Sequence, residues 1–313
     1  MKSLKTHQYL LIFLLLILAL TCVISPWMAL GADWVAERWP ELLSGRVPFS
    51  RVFNRAFMIA GIIVFILGRR VIFPARLKTL LSVRSANSWR NLLTGWGLGV
   101  VSIALLVMLM SVADIFTPFF RLTWAESVSR VVSALFAGIF TGVLEEIFFR
   151  GILFLGLLQQ GWTLRAYFLA NLFYSLVHFV KPGENYFLNG VDPFAGFRHL
   201  LTTFEPLLDP VPLVPGILGL LLIGMVLSYA LERTGTLYLS IGLHAGWVFS
   251  LKVIRVFGDF TRDDLGWAFG STNPKIVSGV VTWLGILLVA IVVHRLTQGH
   301  LDRAAGQPPE SAA

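Results

Sequence analysis

The chain reads as an all-α, polytopic membrane helix bundle of about eight transmembrane helices. Of its 313 residues 56% are hydrophobic and only 13% charged, and the mean hydropathy is +0.77. That is more apolar sequence than a soluble core can hide. The apolar residues are also grouped in runs close to the roughly 20 residues that a helix needs to cross about 30 Å of hydrocarbon. Between the runs, basic residues gather in short connections, as topology-setting charges do.

The first run, from Tyr9 to about Leu30, follows Lys2 and Lys5 and predicts a signal-anchor helix over residues 1–30. Residues 31–91 follow as an interfacial segment, a second span from Ala56 to about Phe73, and a basic loop. Trp34, Trp39, Pro40 and Pro48 among charges predict an interfacial stretch from Asp33 to Arg55. Arg69, Arg70, Arg76, Lys78, Arg84 and Arg90, with no acid among them, predict that the next loop and the N-terminus are cytoplasmic.

Residues 92–258 form the predicted core domain. Its spans run from about Leu92 to Ile115, Val131 to Leu158, Thr163 to Val180, Gly216 to Leu231 and Leu237 to Phe257. The segment from Lys181 to Pro215 is rich in Pro, Gly and aromatics, with an amphipathic stretch near Phe197 to Leu208, and reads as a lid or re-entrant piece. Residues 259–295 add a loop and a last span from Lys275 to His294. The tail, 296–313, reads as disordered. Both termini are expected in the cytoplasm, in a bacterial inner or plasma membrane.

A formal charge of +8 would point to nucleic acid in a soluble domain. Here the basic residues sit between apolar spans, where anionic lipid headgroups are their partners, so no nucleic acid is expected. The single cysteine, Cys22, excludes an intramolecular disulfide and lies inside the first span as an inert thiol.

Within the core, Thr141-Gly-Val-Leu-Glu-Glu-Ile-Phe-Phe-Arg-Gly151 places three ionisable groups in an apolar run. Each costs about 2.5 to 3.5 kcal/mol at the centre of a membrane helix, which makes a functional site the default reading. Glu146 and Arg150 are four apart and on one face, within ion-pair reach. Glu145 is rotated about 100° from Glu146 and falls outside that pair, where it suits proton transfer. The bland alternative is a Glu–Arg pair that only locks two helices together.

Other polar groups lie at similar depth. Asn171, Tyr174 and His178 form a stripe on the fifth span that must face the bundle. The seventh carries Ser240 and His244 one turn apart, with Gly242 and Gly246 as a small-xxx-small pair for close helix approach. A carboxylate and two imidazoles in apolar surroundings can activate water and stabilise an oxyanion.

These residues resemble the CAAX protease and bacteriocin-processing family of intramembrane endopeptidases, which includes the type II CAAX prenyl endopeptidases. Its Glu-Glu-x-x-x-Arg motif stands as Glu145, Glu146 and Arg150. Its Phe-x-x-x-His motif stands as Tyr174 to His178, with Tyr for Phe. Its His-x-x-x-Asn motif stands as His244, with Val248 where Asn is usual. The resemblance spans roughly residues 90 to 258. It implies that Glu145 and His178 activate the attacking water and that His244 holds the oxyanion, with Glu146, Arg150, Tyr174, Asn171 and Ser240 in support. Either Asn171 or Ser240 stands in for the absent Asn, or His244 serves alone.

The implied substrate is a membrane-associated or lipidated protein or peptide. No cofactor is expected: two His and a Glu could ligate zinc, but no His-Glu-x-x-His is present. The rival readings are a non-catalytic scaffold or immunity factor with the same fold, a zinc-dependent intramembrane protease, and a proton-coupled transporter. Against the last stands the lack of an internal repeat.

Overall fold

A computed structural model describes residues 6–41, 45–72, 80, 86–161, 163–180, 186–262, 264–270 and 276–305. Among these, seven helices are long and apolar enough to cross a membrane. The helix at the fifth expected span has 15 residues, Thr163–Val177, and at 1.5 Å per residue reaches only about 22 Å. The basic loop's Arg76, Lys78 and Arg84 lie outside the described residues.

The chain divides into two compact units. The first, residues 1–74 and 176–213, contains α1 (Thr6–Arg38), α2 (Phe49–Ile72) and α6 (Ala195–Thr202). Here the expected interfacial stretch is corrected: α1 continues through Trp34 to Arg38, and α2 begins at Phe49. Between Asp33 and Trp39 no Pro or Gly interrupts the helix, and Pro48 serves as the entry to α2, its carbonyl accepting from the Arg51 and Val52 amides. Cys22 is buried as a free thiol. A Cβ at Gly196 would come within 2.2 Å of the Cys22 carbonyl, so α6 rests directly on the α1 backbone. Behind it His199 is fully buried among the rings of Phe49, Phe53 and Tyr186. Burial lowers the basicity of its imidazole.

The second unit, residues 75–175 and 214–313, contains α3 (Ala86–Val112), α4 (Trp124–Glu146), α5 (Thr163–Val177, whose last two residues fall in the first unit), α7 (Pro210–Thr234, entering from it), α8 (Tyr238–Val253) and α9 (Val280–Ala305). A small antiparallel pair, Phe116–Pro118 with Gly258–Phe260, joins the loops after α3 and α8.

Several boundaries differ from the sequence reading for identifiable reasons. The helix α4 starts at Trp124 because Thr123 and Glu126 form a capping box, each bonding the other's backbone. Two of the prolines of α7, Pro210 and Pro212, fall in the first turn, where a missing N–H breaks no helical bond. The helix α9 runs to Ala305, beyond Leu296, the expected start of the disordered tail, and the rest of that tail, 306–313, lies outside the described residues.

The structure of this unit is built around α8, from Leu239 to Trp247 buried at every position. Glycines hold it close on two sides. Towards α3, a Cβ at Gly242 would meet the Leu92 carbonyl at 2.1 Å and one at Gly246 the Trp96 carbonyl at 2.5 Å, while Gly95 and Gly99 of α3 answer against Leu239 and Leu243. Towards α4, Gly138 and Gly142 face Ala245, Ile241 and Phe249. The expected small-xxx-small contact is therefore present, and its partner is α3.

Along α4, Ala134, Gly138, Gly142 and Glu146 are buried at intervals of four. On another face Phe136, Phe140 and Leu144 are 57%, 64% and 65% exposed. One stripe meets α8; the other presents bulky apolar side chains as a lipid-facing surface does.

Because the α3–α8 approach is backbone on backbone, Gly242→Ala is expected to cost about 1–3 kcal/mol through overpacking. Gly97, with open space around its Cα, is the control. There, Gly97→Ala should leave stability equal or raise it by about 0.5–1 kcal/mol through helix propensity. Thermal unfolding of the two variants in detergent checks this, and equal effects would disprove the contact's importance.

Candidate active site

The site grows from the junction at which α4 changes its hydrogen bonding. After Glu146 the helix continues as a π-helix, Ile147–Phe154, before a last α-helical turn, Leu155–Leu158. Such widened turns interrupt α-helices mostly at functional positions. Here the π-helix carries Arg150, with Phe149, Ile152 and Phe154 buried around it.

The expected ion pair forms: Arg150 Nη1 donates to Glu146 Oε1 at 2.8 Å, and neither side chain has any solvent exposure. Arg150 Nη2 also donates to the Gly224 carbonyl of α7 at 3.3 Å. Its guanidinium carbon lies 4.4 Å from the centre of the Tyr174 ring. A desolvated cation–π contact of this kind contributes about 2 kcal/mol.

A contact that the sequence did not disclose completes the cluster. His244 Nδ1 lies 2.8 Å from the same Glu146 Oε1. His244 Nε2 lies 3.7 Å from Glu145 Oε2, which is too long for a direct hydrogen bond, and that oxygen is itself buried. Exposure separates the two acids. The Glu145 side chain is 29% accessible, Glu146 not at all and His244 4%.

The remaining expected residues divide. The Tyr174 ring stands nearly perpendicular to His244 with centroids 6.2 Å apart, and against Phe149 at 5.0 Å. Asn171 is buried and faces α7, as its stripe predicts, but its groups are engaged there: Nδ2 donates to the Tyr167 carbonyl at 2.7 Å and Oδ1 accepts from Ser228 at 3.1 Å. Ser240 is fully buried and donates to the Leu237 carbonyl at 2.9 Å. Asn171 therefore braces α5 against α7, and the Ser240 hydroxyl proton is committed to the start of its own helix.

His178 belongs to the first unit. The α5 helix ends at Val177, three residues before the expected end, and His178 is partly buried in the turns that follow, closed by Phe179 N–H to Leu176 and Val180 N–H to Val177. Pro182, which the chain reaches four residues later, gives the physical reason for an early end. The second unit by itself thus brings together Glu145, Glu146, Arg150, Tyr174 and His244.

With this geometry in place, comparison with known families is informative. Residues 127–250, from α4 through α8, match the model of the type II CAAX prenyl endopeptidase, Rce1-like, family. Over these residues the chain is similar to the CAAX protease family. No curated protein and no solved structure matches it. The matched stretch contains the Glu-Glu-x-x-x-Arg set and His244, and the family is one of proteases. With seven long apolar helices among the described residues, the chain is an integral membrane protein.

Removing one partner of a buried pair leaves the other as an uncompensated charge. Arg150→Ala should therefore lower stability by about 3–5 kcal/mol, read as loss of folded protein on size-exclusion chromatography and a lower Tm in detergent. The double variant Glu146→Gln/Arg150→Met, which removes both charges, should recover most of that loss. A single variant as stable as the wild type would show that the pair is not needed for folding.

Proposed function

We propose that the chain is an intramembrane endopeptidase of glutamate type, hydrolysing a peptide bond in a membrane-associated or C-terminally tagged protein. It would work in a bacterial inner or plasma membrane with both termini cytoplasmic. The observation that carries this reading is the 3.7 Å approach of Glu145 to His244, with Glu145 the accessible member and His244 buried. Such a pair sets an imidazole edge beside a carboxylate that is only partly buried, the arrangement that a general base and an oxyanion donor require.

In the reaction, Glu145 takes a proton from water as the water oxygen bonds to the substrate's carbonyl carbon. The carbonyl oxygen becomes an oxyanion and accepts a hydrogen bond from His244 Nε2. Collapse of the intermediate breaks the C–N bond, and the proton held on Glu145 passes to the leaving amine. The His178 imidazole serves as the partner of Glu145, a role resting on its place in the Tyr174-to-His178 motif. No metal takes part. The rival reading is a membrane scaffold of the same fold, and Val248 in the position of the motif's usual Asn is the observation that favours it.

Glu145→Gln keeps size and hydrogen bonding but removes the proton acceptor. The variant should stay folded and lose nearly all turnover, measured by comparing the processed membrane and secreted proteome with that of wild-type cells. His178→Ala should be as damaging, since base and partner act as a unit. His244→Ala should lower kcat about 10²–10³-fold, and Val248→Asn should keep or raise activity. Chelators should leave turnover unchanged, whereas a zinc enzyme would stop and then recover on adding metal. Wild-type processing by Glu145→Gln membranes would establish the scaffold instead.

A further inference from the structure

We infer that Glu146, besides pairing with Arg150, is the positioning residue that fixes the tautomer and orientation of His244. This rests on the peptidase reading above for its catalytic consequence and on geometry alone for its structural content. A carboxylate offers only acceptors, so a ring nitrogen 2.8 Å from Glu146 Oε1 must carry a proton. Nδ1 is therefore the N–H donor of the buried contact, and Nε2 is the nitrogen left towards Glu145.

Three features keep the ring from turning over. Glu146 is itself held by Arg150 at 2.8 Å, so the acceptor cannot follow a rotating imidazole. The Tyr174 ring stands edge-to-face against it. The α8 backbone is pinned at the right height, since Gly142 lets α4 approach Ala245 and Ile241 on either side of His244.

The arrangement also answers a chemical requirement. With Nδ1–H committed to Glu146, Nε2 can donate to an oxyanion only when the ring carries both protons. Glu146 occupies Nδ1 and so leaves Nε2 as the edge presented towards Glu145, as a carboxylate behind a catalytic imidazole orients its ring.

The test is ¹⁵N NMR of the full-length protein in detergent with labelled histidine, the His244 signals being identified as those lost in His244→Gln. The expected spectrum has Nδ1 protonated, in a neutral or a doubly protonated ring. A neutral ring protonated at Nε2 and bare at Nδ1 overturns the inference, and this readout requires neither turnover nor a variant of Glu146. Kinetics add a second arm. Glu146→Gln should lower kcat per folded molecule about 10²–10³-fold with KM little changed, and Glu146→Asp, which restores the charge, should recover part of it. A kcat unchanged in folded Glu146→Gln also overturns the inference, because a purely structural residue would change only the folded yield. The expected tautomer in a protein without peptidase activity would refute the functional reading and leave the positioning role standing.

Discussion

A single carboxylate oxygen, Glu146 Oε1, accepts from Arg150 Nη1 and lies at the same 2.8 Å from His244 Nδ1, at zero solvent exposure. An ionised carboxylate cannot be kept in such a place without compensation, and here the compensation comes from two different helical segments. Arg150 stands on the π-helix that continues α4, and His244 on α8. The acid therefore ties its own helix to the helix opposite. Arg150 Nη2 extends the link to α7 through the Gly224 carbonyl, and the guanidinium face extends it to α5 through Tyr174. Four helices meet on one charge pair.

The contact from Glu146 to His244 requires α4 and α8 to approach closely. Hydrophobic burial does not drive helix association in lipid, so packing of small residues has to. Ala134, Gly138 and Gly142 lead along α4 to Glu146 at intervals of four, and the same spacing on α8 places Gly242 and Gly246 against α3. Bulky residues at these positions would hold the helices apart by more than a hydrogen bond can span. The small residues do not touch the chemistry, yet they set its distances. Glu145, one residue before Glu146, is rotated off this stripe and keeps 29% of its side chain accessible. Adjacent positions on one helix thus bury one acid fully and leave the other partly accessible.

The fold class, the order of the spans and the identity of the polar groups were legible in the sequence because each is a local property. Apolar runs, a Glu four residues from an Arg, and a small-xxx-small pair depend only on helical periodicity. The capping box at Thr123 and Glu126 was equally local, and it explains the early start of α4. What could not be read is non-local or a matter of backbone form. The contact between Glu146 and His244 joins residues 98 apart. The π-helix that carries Arg150 leaves no compositional trace. Asn171 and Ser240 show the converse error. Their residue types suited an oxyanion donor, but a buried polar group takes the nearest partner, and for these the nearest are a backbone carbonyl and Ser228.

Those two engagements bear on the departure at Val248. With Asn171 braced against α7 and the Ser240 proton held by Leu237, neither replaces the amide that the family motif carries one turn after His244. On the proposed reading, oxyanion stabilisation falls to His244 within this unit. A lone donor has to be well aimed, because a donor that must reorganise during the reaction loses much of its effect. The surroundings of His244 meet that demand: an acceptor at Nδ1 that is itself immobilised, an aromatic ring against the imidazole, and a backbone wedged between glycine seams. Rigidity around the remaining donor is how a site with a valine at this position would retain the chemistry of its family.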